Sequence, residues 1–391
     1  MVTLSPEPVW LAVLGFIFLV WTKRALWMAR FRKTHPPLAP VSFTLPAPPL
    51  VSVIVPARNE EKNIENCLTH LLKQTYPRLE IIVVDDRSTD RTPQLIGSFQ
   101  RTSKTPVKNV RIEKLPPGWT GKNYAMFTGS KAAEGEWFLF TDADTTHRAE
   151  SLSTALGCAL ERKIDFLTLA PETESKSFWE KTVQPLAVGS LALWFNPEKI
   201  NAPNSEVTLA NGQFILVRRD VYEKTGGNEA VRQEVVEDVE QAKRARSAGY
   251  LVQFLDGTRL YSTRMYGSLK EIRAGWTRIL TYLFNKNVWA ILHKIFLFAL
   301  FSCLPYFVLF FEIWAKFVRP EIFSAGLFGA GLGVCFWITA IRFQGNRAVK
   351  VNPWYAVLHL LGSFVMIGIL LNCVARIVLK RRSVWKGQSY A

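Results

Sequence analysis

Cysteine is scarce: the five present (Cys67, Cys158, Cys303, Cys335 and Cys373) are odd in number, form no CxxC pair, and three lie in apolar runs. Neither a disulfide framework nor a zinc site is indicated. Histidine is as thin. His35, His70, His293 and His359 show no metal spacing, and His147, five residues past Asp142, is expected to be a polar loop residue. There is no internal repeat. Acidic charge is in deficit, with 32 Asp and Glu against 48 Lys and Arg, a formal net charge of +16. A nucleic-acid binder would gather that excess on one folded domain. Here residues 1–49 carry five basic and one acidic residue, residues 50–285 carry 31 and 29, and residues 286–391 carry twelve and two, giving +4, +2 and +10. The excess flanks apolar runs, which is the charge layout of a membrane protein and excludes nucleic acid as a partner.

What the sequence has in quantity is apolar and aromatic residues: 49% hydrophobic, 26 Phe and 13 Trp, with only 20% charged. That composition excludes a disordered or collagen-like chain. Uncharged stretches cover 8–22, 295–311, 322–341 and 351–375. A helix needs about 20 residues to cross roughly 30 Å of hydrocarbon. The last two runs meet that length, and the second does so if Lys294 and Lys316 snorkel. The first has no Lys or Arg before it and no small-residue cleavage site after it; Lys23, Arg24, Arg30, Arg32 and Lys33 follow. It therefore reads as an anchor, residues 1–33, with the chain beyond it in the cytoplasm. Residues 34–49 hold six prolines and make a stiff linker. Residues 266–287 form an amphipathic interfacial segment, 288–379 a C-terminal transmembrane region, and 380–391 a basic tail. Three crossings would put that tail outside, while its Lys380, Arg381, Arg382 and Lys386 favour the inside. A re-entrant run over 288–315, with Pro305 in its middle, is the alternative. The protein is expected in the cell (inner) membrane, multi-pass, with the domain at 50–265 cytoplasmic.

That domain alternates strand-like runs (50–56, 79–84, 110–113, 137–141, 164–169) with helix-period segments near 60–74, 90–100, 122–133 and 149–162. The spacing suits βαβ units, so the fold class is α/β with a mainly parallel sheet. Ligands of such sheets bind at the carboxyl ends of the strands, where polar clusters fall: 56–60 (PARNE), 85–90 (DDRSTD) and 142–144 (DAD). Ser88 or Asp90 could equally cap a helix, and Asn59-Glu60 could open one. Asp142 and Asp144 are harder to assign to capping. Two carboxylates leaving an apolar strand together repel each other, and a hard divalent cation relieves that repulsion best.

With VSVIVPARNEEKNI, IIVVDDRSTDRT, GWTGKNYA, FLFTDAD and VVEDVEQAKRARSAGY in order, residues 50–285 resemble a family 2 glycosyltransferase of the GT-A fold. The membrane arrangement resembles bacterial members that glycosylate lipids, notably the carotenoid- and hopanoid-associated branches. The resemblance implies a nucleotide-diphosphate sugar donor, a lipid-like acceptor and Mg²⁺ or Mn²⁺. It also implies roles. Asp86 accepts from the nucleobase with Arg58 beside it, Lys122 meets the phosphates, Asp144 contacts the metal, and Asp142 the ribose or the metal. Asp238, in the acidic pair with Glu237, is the general base for an inverting displacement; apart from the resemblance, that pair would merely decorate a helix N-terminus. The QxxRW motif of processive members is missing. Its nearest equivalent holds Trp276 and Arg278, which either line the acceptor side or anchor an interfacial helix. Gln213, in Asn-Gly-Gln, is a further candidate for the acceptor side. Two other readings stand beside this one: a polysaccharide synthase, which would need QxxRW and more spans, and a non-catalytic scaffold, which would be free to lose its carboxylates.

Overall fold

The computed structural model describes residues 6–42, 46–202, 205, 207–381, 383–385 and 388–390. Arg382 and Lys386 of the basic tail, and residues 43–45 of the proline-rich linker, lie outside the described residues. The chain divides into two compact units.

The first comprises Pro37–Glu174 and Ala192–Met265, with the stretch from Arg382 on. Its strands, in chain order, are β1 (Val51–Ala57), β2 (Leu79–Asp86), β3 (Val107–Ile112), β4 (Trp137–Phe140), β5 (Thr145–His147), β6 (Phe166–Ala170), β7 (Glu172–Thr173), β8 (Ile215–Arg218), β9 (Val252–Asp256) and β10 (Tyr261–Thr263). Seven form one sheet in the order β3-β2-β1-β4-β8-β6-β9. Neighbours pair in parallel except β8, which is antiparallel to both β4 and β6. β5, β10 and β7 make a small second sheet.

The strand sequences explain the layering. Side chains alternate between faces along a strand, so Val51, Val53 and Val55 enter one core with Ile64, Leu68, Leu152 and Leu156 of the helices Ile64–Leu71 and Ser151–Glu161. Ile54 enters the other, with Ile82, Val84, Phe138, Phe140 and Met126 of the helix Gly121–Ala132. A sheet buried on both faces needs the near-continuous apolar runs seen in β1, β2 and β4. Register then sets the site: Ala57 lies opposite Asp85 and Ile54 opposite Phe140, so three polar segments leave one sheet edge together.

The second unit comprises the chain up to Pro36, Ser175–Leu191 and Tyr266–Arg381. Four of its helices are long and apolar enough to cross a membrane: Glu7–Thr34, Val288–Val318, Ala325–Ala348 and Pro353–Val378. The second is interrupted by a π turn at Ala299–Cys303, just before Pro305. Proline has no N–H to give to the carbonyl four residues back, which is that of Phe301. Trp21 Nε1 donates to that carbonyl instead, at 2.9 Å. The helix Leu269–Leu283 buries Ile272, Trp276, Thr277 and Leu280 inside this unit and exposes Lys270, Glu271 and Arg273.

Candidate active site

The loops after β1 and β2 are tied into one rim. Asn59 N–H donates to Ser88 Oγ (3.0 Å) and Thr89 N–H to Asn59 Oδ1 (2.9 Å). Glu61 N–H donates to Asp90 Oδ2 (3.1 Å), and Ser88 N–H to Asp85 Oδ1 (3.0 Å). Asn59 and Arg87 take left-handed backbone angles, φ 53° and 57°. Such angles cost free energy in a non-glycine residue and persist where surrounding bonds enforce them. Asp90 also accepts from Thr92 N–H at the start of the helix Thr92–Thr102, so it caps as well as ties. Asp86 is 4% exposed. Arg58 Nη1 stands 3.4 Å from its carboxylate, and Arg87 is nearer, with Nε and Nη2 each 2.7 Å away. Arg87 was not singled out from the sequence; its place in a DDR tripeptide was the only signal.

Beyond β4 the chain alternates. Ala143 and Thr145 are buried while Asp142 and Asp144 are half-buried. Lys122 stands on the first turn of the helix Gly121–Ala132, whose cap is Thr120 Oγ1 accepting from Asn123 N–H. Its Nζ lies 2.8 Å from Asp142 Oδ1 and 3.1 Å from Glu237 Oε1. Three segments distant in sequence thus meet at one ammonium. The ion pairing with Asp142 and Glu237 outweighs burial and holds the Lys122 ammonium protonated well above the ordinary lysine range. Next to Glu237, Asp238 stands in the first turn of the helix Glu237–Ser247. Its Oδ2 accepts from Gly212 N–H (2.7 Å) and its Oδ1 from Val239 N–H (2.8 Å). Burial, and then the charge of Glu237, push the Asp238 carboxyl up to about 7, against the opposing pull of Lys122 and these two bonds. Gly212 is part of this geometry: a Cβ there would stand 3.0 Å from Lys122 Nζ and 3.3 Å from Glu237 Oε1.

Other candidates are placed elsewhere. Gln213 is 7% exposed and its Nε2 donates to Thr263 Oγ1 (3.1 Å), inside the framework. Trp276 is 3% exposed and its Nε1 donates to Gln184 Oε1 (2.6 Å). The indole is buried in protein, not at a surface. Arg278 is half-buried on the same helix. His147 is no loop residue: it lies in β5, 1% exposed, stacked on Tyr261 with centroids 5.6 Å apart and Nε2 2.9 Å from Thr141 Oγ1. Burial lowers its pKa to about 3, so it is neutral at pH 7.

Residues 52–226 match the family described as glycosyl transferase family 2. Over that stretch the chain is similar to family 2 glycosyltransferases. The 4,4'-diaponeurosporenoate glycosyltransferase of Staphylococcus aureus (strain USA300) is 27% identical over 242 residues, 59% of this chain and 60% of that protein. The protein of the same name from Staphylococcus haemolyticus is 27% identical over 239 residues, 58% of this chain and 60% of that one. The match thus spans 60% of the length of these curated relatives. Among solved structures, a mannosyltransferase from Pyrobaculum calidifontis in complex with GDP-Man and Mn²⁺ superposes with a TM-score of 0.55 at 19% identity, covering 95% of this chain and 99% of that one. At that identity the likeness concerns the fold. The first unit has the GT-A arrangement expected from the sequence: a mostly parallel sheet between helices, in a chain with apolar helices near its N-terminus and in its C-terminal region.

Proposed function

We propose that the protein is a membrane-bound inverting glycosyltransferase that moves one sugar from a nucleotide-diphosphate sugar to a lipid-like acceptor on the cytoplasmic face. The observation that carries this is the meeting of Lys122, Asp142, Glu237 and Asp238 at the carboxyl ends of the strands, with Asp238 poised near neutral pH. The relatives, named for a carotenoid acceptor, support a lipid-like one here.

The chemistry follows from the groups present. An acceptor hydroxyl is a poor nucleophile until its proton is taken, and a carboxylate with a pKa near the working pH takes it as attack proceeds. Asp238 is that group. The acceptor oxygen bonds to the anomeric carbon, the bond from that carbon to the diphosphate breaks, and the proton ends on Asp238. One displacement inverts the centre. Lys122, at a helix N-terminus, offers its ammonium to the diphosphate. Asp86 and Arg58, in the rim beyond β1 and β2, serve the nucleobase.

Asp142 and Asp144 fit a hard divalent cation, Mg²⁺ or Mn²⁺, because they are oxygen donors two residues apart at the end of one strand. Among the described residues no group of three or more His, Cys, Asp or Glu could enclose an ion. An ion held there would neutralise charge on the leaving diphosphate.

The test is transfer from radiolabelled nucleotide sugars to lipid extract by the purified protein, with and without EDTA, beside mass spectrometry of lipids from cells with and without the gene. A sugar-bearing lipid present only with the gene, and made only with Mg²⁺ or Mn²⁺, is expected. Full activity in EDTA removes the metal role, and identical lipid profiles with no transfer to any lipid remove the function.

A further inference from the structure

The helical unit buries polar groups that the sugar chemistry does not use. Arg342 is 9% exposed, Asn346 0% and His359 1%. Nε and Nη2 of Arg342, both amide atoms of Asn346, and Nδ1 of His359 meet no hydrogen-bond partner. Arg342 and Asn346 stand one turn apart on the helix Ala325–Ala348, as neighbours on one face. Thr339, one turn earlier, lies 3.4 Å through its hydroxyl from that of Tyr306. The Tyr306 ring stacks with His359 at 6.1 Å, and Trp21 meets the same imidazole edge-on at 5.7 Å. Around them lie Ile17, Phe301, Leu309 and Ile338.

A guanidinium in such a place is costly unless something answers it. The unit's own carboxylates do not. Within its sequence ranges the acidic residues are Glu7, Glu180, Glu271, Glu312 and Glu321. Glu7 and Glu312 both hold Ser324, at the opposite end of the helix that carries Arg342. Glu180 accepts from Ser177 N–H, Glu271 from Gly267 N–H, and Glu321 pairs with Arg319. The depth is also fixed. Glu7 bonds Ser324 and Thr22 bonds Trp337, so the helices Glu7–Thr34 and Ala325–Ala348 run parallel. Arg342 is therefore level with the part of the first helix that follows Thr22, where Lys23, Arg24 and Arg30 stand.

We infer that Arg342, Asn346 and His359 form a binding site for the acidic head of an amphiphile, a carboxylate or phosphate carried on an apolar chain. The guanidinium presents paired donors in the geometry of such an anion. Asn346 adds a donor and an acceptor and His359 a ring nitrogen. The apolar walls select a tail, which a free anion lacks. The site stands whether or not the chain transfers sugar.

The test contains no sugar donor. The full chain is placed in phosphatidylcholine nanodiscs, and binding of hexadecyl phosphate and of inorganic phosphate is measured together with the thermal unfolding midpoint. Saturable binding of hexadecyl phosphate should raise the midpoint, because a ligand bound only to the folded state stabilises it. Arg342→Met should weaken that binding about tenfold or more and abolish the rise. Its midpoint without ligand should equal or exceed that of the original protein, since an apolar side chain replaces an unanswered cation. Arg347→Gln, exposed on the same helix, should bind as the original does. Asn346→Leu and His359→Phe should each weaken binding, which covers the case in which Arg342→Met does not fold. Undiminished binding in all three variants overturns the site, and inorganic phosphate binding as tightly as hexadecyl phosphate overturns its amphiphile character.

Discussion

A carboxylate serves as a base only while it is ionised and basic enough to hold a proton. For Asp238 two backbone N–H bonds favour the ionised form, while burial and Glu237 oppose it more strongly. Transfer should therefore fall as pH drops below about 7, where Asp238 becomes protonated, and level off above it. A rate-against-pH profile whose rising limb disappears in Asp238→Asn checks the assignment. The same substitution keeps the volume but takes no proton, so turnover should fall by ~10²–10⁴ while donor binding by calorimetry barely changes. Normal turnover in Asp238→Asn would move the base to Glu237. The two aspartates after β4 separate similarly. Asp142 is engaged by Lys122, and the proposal makes Asp144 the direct metal ligand. Asp144→Ala should cost more metal-dependent activity than Asp142→Ala, and the opposite ranking would exchange the roles.

At the level of elements, two glycines divide stability from chemistry. A Cβ on Gly129, in the helix over β1 and β2, would come 2.5 Å from Ile54 Cγ2 and 3.0 Å from Val84 Cγ2. Alanine gains about 1 kcal/mol of helix propensity, but overpacking a core costs about 1–3 kcal/mol. Both neighbours are β-branched and stiff, so the cost should win and Gly129→Ala should lower the melting temperature. Gly212→Ala meets the flexible tip of Lys122 instead. Its melting temperature should hold while transfer falls; equal losses of stability in both variants would deny Gly212 its place at the site. Legibility in the sequence follows the same division. β1, β2 and β4 could be read because both faces are buried and the run is apolar. β5, β7 and β10, of three, two and three residues, are too short to show a period. That is why His147 was expected in a loop. The clusters at 56–60, 85–90 and 142–144 announced a site through their position after strands. The Lys122–Glu237 contact and the Gly212–Asp238 bond join residues 115 and 26 positions apart, and no local pattern encodes such pairs.

Across the whole chain the open question is where the last apolar helix runs. The parallel pairing of Glu7–Thr34 with Ala325–Ala348 places residues 319–323 at the end of the unit occupied by Glu7. The basic residues 23–33 mark the other end, which by the positive-inside bias would face the cytoplasm. The helix His359–Val378 has the length and hydropathy to cross again, and its first half packs on the helix Val288–Val318 through His359 with Tyr306 and Phe364 with Phe307, but it is also tied to two other helices. Gly362 stands against Thr182, where a Cβ would come 3.0 Å from the Thr182 carbonyl oxygen. Asn372 Nδ2 donates to Thr277 Oγ1 (3.1 Å), and Cys373 Sγ donates to the Thr277 carbonyl (3.4 Å). Thr182 and Thr277 belong to helices that are themselves joined by the Trp276–Gln184 bond. The helix carrying Thr277 exposes Lys270, Glu271 and Arg273, charges that do not belong in hydrocarbon. A helix held at two points about 16 Å apart along its axis by this pair follows their course instead of leaving them for the opposite leaflet. We propose that it does not cross, so that two crossings follow the domain and the tail with Lys380 and Arg381 stays on the basic side, in agreement with its charge. Single cysteines replacing Gln100, Glu321 and Ser383, with the five native cysteines removed, are probed in intact cells with a membrane-impermeant thiol reagent. Glu321→Cys should be labelled, while Gln100→Cys and Ser383→Cys should be protected. Labelling at 383 would mean that the last helix crosses, and labelling at 100 would sink the cytoplasmic placement on which access to nucleotide sugars depends.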